Sequence, residues 1–390
     1  MKTLKKFFSS IGDYFINTDK ILWFLVICCT VISSVLLSSV ERAGGLFVRT
    51  QIMAACIGII IAVIISVIDY EYITRYWWLL AILSIGLFIY VFLFGITISG
   101  TDDTAWIRLP GGLTFQPSEL VKIFFIVTLA KHIDTLQSKG KLKTFLGVLS
   151  LLLHVGVPVV IIHMQGDDGS ALIFFFIMLV MCIVAGVQGR YFIALGSILA
   201  IGLPLLWNFF LNDEHRNRIL ALFDLDSNAL TNYGYQQYQS KVSIASGELT
   251  GYGVGQGYRT GVGFVPEQEN DFIFSVAGEE MGFLGSILII LLLLLMIVKV
   301  FFIGLGARDK LGSYIAYGMF GLLASQTIVN LGMVLGLLPV IGITLPFFSA
   351  GGTSSMCLYF GIGLVQSVHM HKQNNEVIKL SYTRNERIKI

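Results

Sequence analysis

Ten apolar runs, most of them close to twenty residues long, leave this chain few choices of fold. A helix rises about 1.5 Å per residue, so roughly 20 apolar residues cross a hydrocarbon core of about 30 Å. By that measure, spans fall near residues 21–40, 50–68, 77–98, 117–132, 144–163, 170–186, 191–211, 272–303, 312–338 and 347–370. The eighth is too long to stand upright in a bilayer, so it should tilt or begin as a helix outside the membrane. Charged residues are 13% of the 390 and sit mostly between the runs. A water-soluble chain carries about 25%. The expected fold is all-α and polytopic, with about ten transmembrane helices in one membrane domain over 1–390. The first run is longer than a signal-peptide core and lacks a small-residue cleavage site, so it reads as a retained span.

Orientation follows from basic residues counted by side. With the N-terminus inside, inner segments hold 18 of the 26 Lys and Arg, outer segments hold 7, and Lys122 lies within a span. Inner loops carry the excess, so both termini are expected in the cytoplasm, including a short tail at 371–390. Two outer loops stand out. The segment 99–116 carries Asp102, Asp103, Trp106, Arg108 and a Pro-Gly-Gly. The segment 212–271, between the seventh and eighth spans, is far longer than an ordinary connection. It is aromatic and glycine-rich, which points to an ordered, functional loop. No internal repeat supports an inverted-repeat transporter. The five cysteines all lie in apolar runs without metal-ligand spacing, and their odd number argues against a disulfide framework. A net charge of +2 without a basic stripe gives no sign of nucleic-acid binding.

Several polar groups stand where they are costly. Glu119 and Lys122 share one face of the fourth span at i,i+3 spacing. Ionisable groups inside spans mark function by default, although a structural ion pair explains them equally well. Asp167 and Asp168 stand at the outer end before the sixth span, where they would cap the helix or contribute to a divalent-cation site. Asp271 falls where the polar loop meets the eighth span. Partial burial there would raise its pKa toward that of a general base, and the plain alternative is an N-cap. The run Gly251–Gly257 is not a dinucleotide fingerprint, because no strand precedes it. It could form an anion-binding nest of backbone N–H groups or simply a flexible loop. Arg216 and Arg218 could grip phosphate. Residues 345–355 read as a broken entry to the last span, with small residues for close packing. His369 and His371 diverge on a helix and make a poor metal pair.

Taken together, these segments resemble the SEDS family of shape, elongation, division and sporulation proteins. The resemblance rests on Trp106-Ile107-Arg108, Gln116 through Lys122, Tyr238-Gln239-Ser240 with the glycine run, and Pro266-Glu267 with Asn270 through Phe274. It continues in Glu279 through Phe283, Asn330 with Gly332-Met333, and Pro346 through Ser355. It implies a peptidoglycan glycosyltransferase of the bacterial cytoplasmic membrane that polymerises Lipid II and pairs with a class B penicillin-binding protein. The family's essential loop aspartate falls on Asp271 and its fourth-span Glu/Lys pair on Glu119 and Lys122. Glu119, Lys122, Trp106, Arg108, Asp167, Arg216, Arg218, Gln239 and Ser240 become substrate-binding candidates, with Lys122, Arg108, Arg216 or Arg218 as cations for the departing diphosphate. The family's Gln-Pro-Asp-Leu-Gly-Thr reads Gln165-Gly166-Asp167-Asp168-Gly169-Ser170 here, a departure in local charge. Membrane lipids surround such an enzyme, and a divalent cation, magnesium or manganese, is the one cofactor its chemistry could use; no metal-ligand set is visible. The rival readings are a Lipid II flippase and a noncatalytic scaffold for the penicillin-binding protein. The short tail and the run from Asn330 to Pro346 lean toward the RodA branch.

Overall fold

The computed structural model describes residue 14 and residues 16–40, 45–97, 104–108, 114–210, 213–223 and 232–372. Asp102, Asp103, the Pro-Gly-Gly, part of 212–271 and most of the tail lie outside the described residues.

Every expected span contains a helix. In chain order they are α1 (Lys20–Val40), α2 (Leu46–Val67), a short α3 (Tyr70–Arg75) and α4 (Trp77–Phe94). A small hairpin follows, with β1 (Ile107–Arg108) antiparallel to β2 (Thr114–Phe115). Next come α5 (Pro117–Ser138), α6 (Phe145–Met164), α7 (Asp168–Ala185) and α8 (Gly189–Leu205), which runs into a π-helical turn at Leu206–Phe210. The 212–271 segment contributes α9 (Asp213–Leu220), α10 (Asn232–Ser246) and α11 (Tyr258–Val262). The chain closes with α12 (Ile273–Leu305), α13 (Lys310–Val334) and α14 (Gly352–Met370).

Eight of the described helices are long and apolar enough to cross a bilayer. The remaining two spans, α5 and α14, sit inside the bundle, where neighbouring helices rather than lipid cover them. That position tolerates Glu119 and Lys122 on α5, and Thr353, Ser354, Ser355, Gln366 and Ser367 on α14. Small residues bring α2 and α14 together. A Cβ at Gly58 would lie 2.7 Å from the Tyr359 ring, and one at Gly363 would lie 2.7 Å from the Ala62 carbonyl. Close approach of this kind replaces the hydrophobic drive that lipid cannot supply. By contrast, α8 buries none of its residues in the bundle.

Local sequence sets the helix starts. Pro117 opens α5, where its missing N–H is not needed. Asp309 caps α13 by accepting from Gly312 N at 2.8 Å, and Thr144 caps α6 by accepting from Gly147 N at 3.2 Å.

The length of the eighth span has a specific resolution. Gly282 breaks α12, with φ 65° and ψ −160°. Residues 283–305 then form about 35 Å of helix, which matches the hydrocarbon core, and residues 273–281 form a separate stub. A broken helix exposes backbone polar groups that must find partners. The 212–271 segment supplies them. Tyr252 N and Gly253 N donate to the carbonyls of Glu279 and Glu280 at 3.1 and 2.9 Å. Phe283 N and Leu284 N donate to the carbonyls of Glu248 and Leu249 at 2.8 and 3.1 Å. The glycines are what let the loop come this close. A Cβ at Gly247 would lie 1.9 Å from the Gly278 carbonyl, and one at Gly251 would lie 2.2 Å from that of Glu280. The N–H groups of Tyr252 and Gly253 are therefore spent on a broken helix and do not form part of an anion nest.

Candidate active site

Asp271 stands at the head of the α12 stub, half-buried. It is not the N-cap; Phe272 holds that position, and its side chain makes no capping bond. Three main-chain anchors fix the approach to Asp271. Asn330, fully buried on α13, donates through Nδ2 to the carbonyls of Asp271 and Ile343, both at 2.7 Å. Ser349 donates through Oγ to the Asn270 carbonyl at 2.7 Å while accepting from Leu345 N at 2.7 Å. Ala350 N donates to the Glu269 carbonyl at 2.7 Å. The non-helical segment between α13 and α14 thus wraps the residues leading to Asp271. Gly342, at φ 69°, faces the carboxylate, and a Cβ there would sit 3.8 Å from Asp271 Oδ2.

The same segment rests on α7, where a Cβ at Gly169 would meet the Ile341 carbonyl at 2.2 Å. Asp167 secures that helix start. Its Oδ1 accepts from Ser170 N at 2.9 Å, and its Oδ2 accepts from Gln116 Nε2 at 2.9 Å and Ser118 Oγ at 3.2 Å. The capping reading of Asp167 describes its geometry, with a clasp to α5 added. Asp168 instead meets His163 Nδ1 at 2.5 Å. Among the described residues, no three His, Cys, Asp or Glu side chains converge as a metal site. A divalent cation therefore finds no protein cage in the described residues.

Glu119 and Lys122 form an ion pair at 2.7 Å, 6% and 1% exposed. Both are sealed inside the bundle, so the pair ties the fold together and Lys122 does not face a substrate surface here. Arg216 is also committed. Its guanidinium donates to the carbonyls of Trp207 and Asn208 at 2.9 and 3.1 Å and pairs with Asp213 at 3.3 Å. It thereby satisfies the π-helical turn that ends α8. Arg218 is half-buried on α9, and Arg108 is exposed on β1. The carbonyl of Trp106, next to Arg108, accepts from Ile96 N at 2.8 Å.

Ser240 and Gln239 face different tasks. Ser240 Oγ donates to the Val334 carbonyl at 2.9 Å, and the neighbouring Gln237 Nε2 donates to the carbonyls of Met333 and Leu338 at 3.0 and 2.6 Å. These bonds dock α10 onto the end of α13. Gln239 accepts from Arg259, whose Nε also donates to Ser243 Oγ at 2.9 Å. Glu279 collects Arg259 N, Thr260 N and Thr260 Oγ1 at 2.7, 2.8 and 2.7 Å, holding α11 against the α12 stub. Sequence reading gave no role to Asn330, Ser349, Gln237 or Glu279. Asn330 and Glu279 did leave a signal, as polar groups inside apolar runs.

Glu269, two residues before Asp271, has its carboxyl raised above the ordinary range. Burial is the main cause; a backbone hydrogen bond opposes it, and Glu267 adds to it.

The model of the FtsW, RodA and SpoVE cell cycle proteins matches residues 16–374. The chain belongs to this family. A probable peptidoglycan glycosyltransferase FtsW of Geobacter sulfurreducens is 34% identical over 337 residues, covering 86% of this chain and 88% of that protein. The peptidoglycan glycosyltransferase MrdB of Escherichia coli is 30% identical over 361 residues, covering 92% and 95%. Among solved structures, a chain described under "Structural coordination of polymerization and crosslinking by a peptidoglycan synthase complex" matches with a TM-score of 0.79 at 28% identity. That match covers 92% of this chain and 99% of the other. The Thermus thermophilus rod shape determining protein RodA matches with a TM-score of 0.66 at 26% identity, covering 91% and 97%. Family membership accounts for the all-α membrane architecture and for the order of the motifs along it.

Proposed function

We propose that this peptidoglycan glycosyltransferase polymerises Lipid II at the outer face of the bacterial cytoplasmic membrane, with Asp271 as general base. The observation that carries the reading is the placement of Asp271. Asp271 sits half-buried where the loop enters the bundle, with its main chain fixed by Asn330 and Gly342 facing its carboxylate. A base held in register gains from positioning as well as from proton affinity.

In the proposed step, an acceptor sugar hydroxyl gives its proton to Asp271. The oxygen attacks the anomeric carbon of the donor, a new glycosidic bond forms with inversion, and the bond to the lipid diphosphate breaks. The departing charge needs a cation. Arg108, exposed on β1, is the proposed partner, since Lys122 is sealed and Arg216 is engaged with carbonyls. The excess of basic residues on the opposite side supports placing this end outside. A class B penicillin-binding protein is the proposed partner, in line with the likeness to a chain from a peptidoglycan synthase complex.

The test is glycan product formed from purified Lipid II by wild type and Asp271→Asn, each with the partner present. A general base contributes about 10²–10⁴-fold, so the variant should make almost no polymer while still binding Lipid II. Wild-type polymer from Asp271→Asn would remove it from the mechanism. Absence of polymer from wild type would favour a flippase or scaffold.

A further inference from the structure

A cavity of about 160 Å³ with charged and apolar walls opens at the end of the bundle opposite Asp271, lined by Asp19, Lys299, Phe302, Ile303, His369 and Lys372. Lys299 and Asp271 are separated by most of the length of α12. The cavity has a built floor. Gln366, fully buried on α14, accepts from Asp19 N and donates to the Asp19 carbonyl, both at 2.9 Å. Asp19 Oδ1 accepts from Leu22 N at 2.9 Å at the start of α1, and Oδ2 meets Lys299 Nζ at 2.7 Å. His369 Nδ1 lies 3.9 Å from the same oxygen. Lys372 reaches over Gly306, where a Cβ would lie 2.7 Å from its Nζ.

Two lysines line the cavity against one carboxylate, and that carboxylate is already engaged at a helix start and with Lys299. The cavity keeps a positive excess. Phe302 and Ile303 add an apolar wall, and both lie near the end of the membrane-spanning half of α12. A charged cleft with an apolar flank at bilayer-interface depth matches one kind of ligand. Its phosphate meets lysine while its chains stay in the hydrocarbon.

We propose that this cavity binds the phosphate of an anionic phospholipid of the inner leaflet. The choice of leaflet rests on the orientation proposed above, whereas the lipid site itself does not require Asp271 chemistry. An electroneutral explanation also exists for the basic groups, since cations near helix C-termini offset the helix dipole. The experiment separates the two.

The full chain is purified in detergent and mixed with phosphatidylglycerol, with phosphatidylcholine, or with inorganic phosphate alone. Retained lipid is counted by native mass spectrometry, and melting temperature is followed in parallel. Wild type should retain phosphatidylglycerol in preference to phosphatidylcholine. Each lysine removed, in Lys372→Gln and then Lys299→Gln/Lys372→Gln, should weaken that retention about fivefold. Lys372→Gln leaves the Asp19–Lys299 pair intact, so it reports on the site even where the double variant folds poorly. Asp271→Asn should retain the lipid like wild type, which keeps failure of this site distinct from failure of the catalytic reading. Equal retention of the two lipids, or unchanged phosphatidylglycerol binding in Lys372→Gln, would overturn the proposal. So would full stabilisation by inorganic phosphate alone.

Discussion

Asn330→Leu tests whether the main-chain anchor on Asp271 matters to the reaction or only to the fold. Leucine keeps the approximate size and the helix propensity of the position while removing both donors. The carbonyls of Asp271 and Ile343 then lose bonds of 2.7 Å in a fully buried place. Each unsatisfied carbonyl costs about 1–3 kcal/mol. Asn330 Oδ1, however, is buried without a hydrogen bond, and losing it returns about 1–3 kcal/mol. The net loss of stability should therefore be modest, on the order of 1–3 kcal/mol. Catalysis should suffer more than stability. Misplacing a reacting group by about 1 Å costs roughly 100-fold, and the Asp271 main chain would be free to shift by that much. Polymerisation rate should fall by about that factor while Lipid II binding changes little, with melting temperature recorded on the same samples. A variant that loses stability yet polymerises at the wild-type rate would refute the positioning argument.

Other expectations follow from the same geometry. Removing one member of the Glu119–Lys122 pair should cost about 3–5 kcal/mol, because the other charge stays buried. Exchanging the two residues should restore folding and polymerisation together, and folding without activity would show that Lys122 meets substrate. Glu269→Gln should change the pH profile of stability. A carboxyl raised by burial holds its proton better in the folded chain than in the unfolded one, so its stabilising contribution is full at low pH and is lost as pH rises through the folded value. The variant should thus melt higher than wild type at neutral pH and lose that advantage in acid; an unchanged profile would contradict the burial argument. For topology, a cysteine in a cysteine-free background should react with an impermeant reagent from outside at Gly261, where the side chain meets open space, and not at Ser138. Gly247 is unsuitable for this, since its Cβ would collide with the Gly278 carbonyl.

The spans were legible because lipid demands a continuous apolar run, and that demand is written residue by residue. The Glu119–Lys122 pair and the Asp167 cap were legible for a related reason, since i,i+3 spacing and helix capping are local. What escaped depends on contacts between distant parts of the chain. The break at Gly282 is filled by residues 248–253, and nothing in either stretch alone names its partner. Asn330 meets the Asp271 carbonyl across 59 positions of sequence. Arg216 and Lys122 looked available for phosphate because charge shows in a sequence, whereas burial and prior engagement do not.

The break in α12 also has a consequence for catalysis. An unbroken helix would carry Asp271 along the axis of its membrane-spanning half, and motion of that half in the bilayer would reach the carboxylate directly. At Gly282 the two halves are joined instead through the 248–253 loop. That loop continues from α10, which Gln237 and Ser240 fasten to the end of α13. Asn330, on the same helix, then holds Asp271 itself. The stub, α10 and the end of α13 therefore form one hydrogen-bonded block around the carboxylate, and Gly247 and Gly251 lie within it. Substituting either glycine should disturb polymerisation although neither touches Asp271, because a displaced loop loosens the block that positions it.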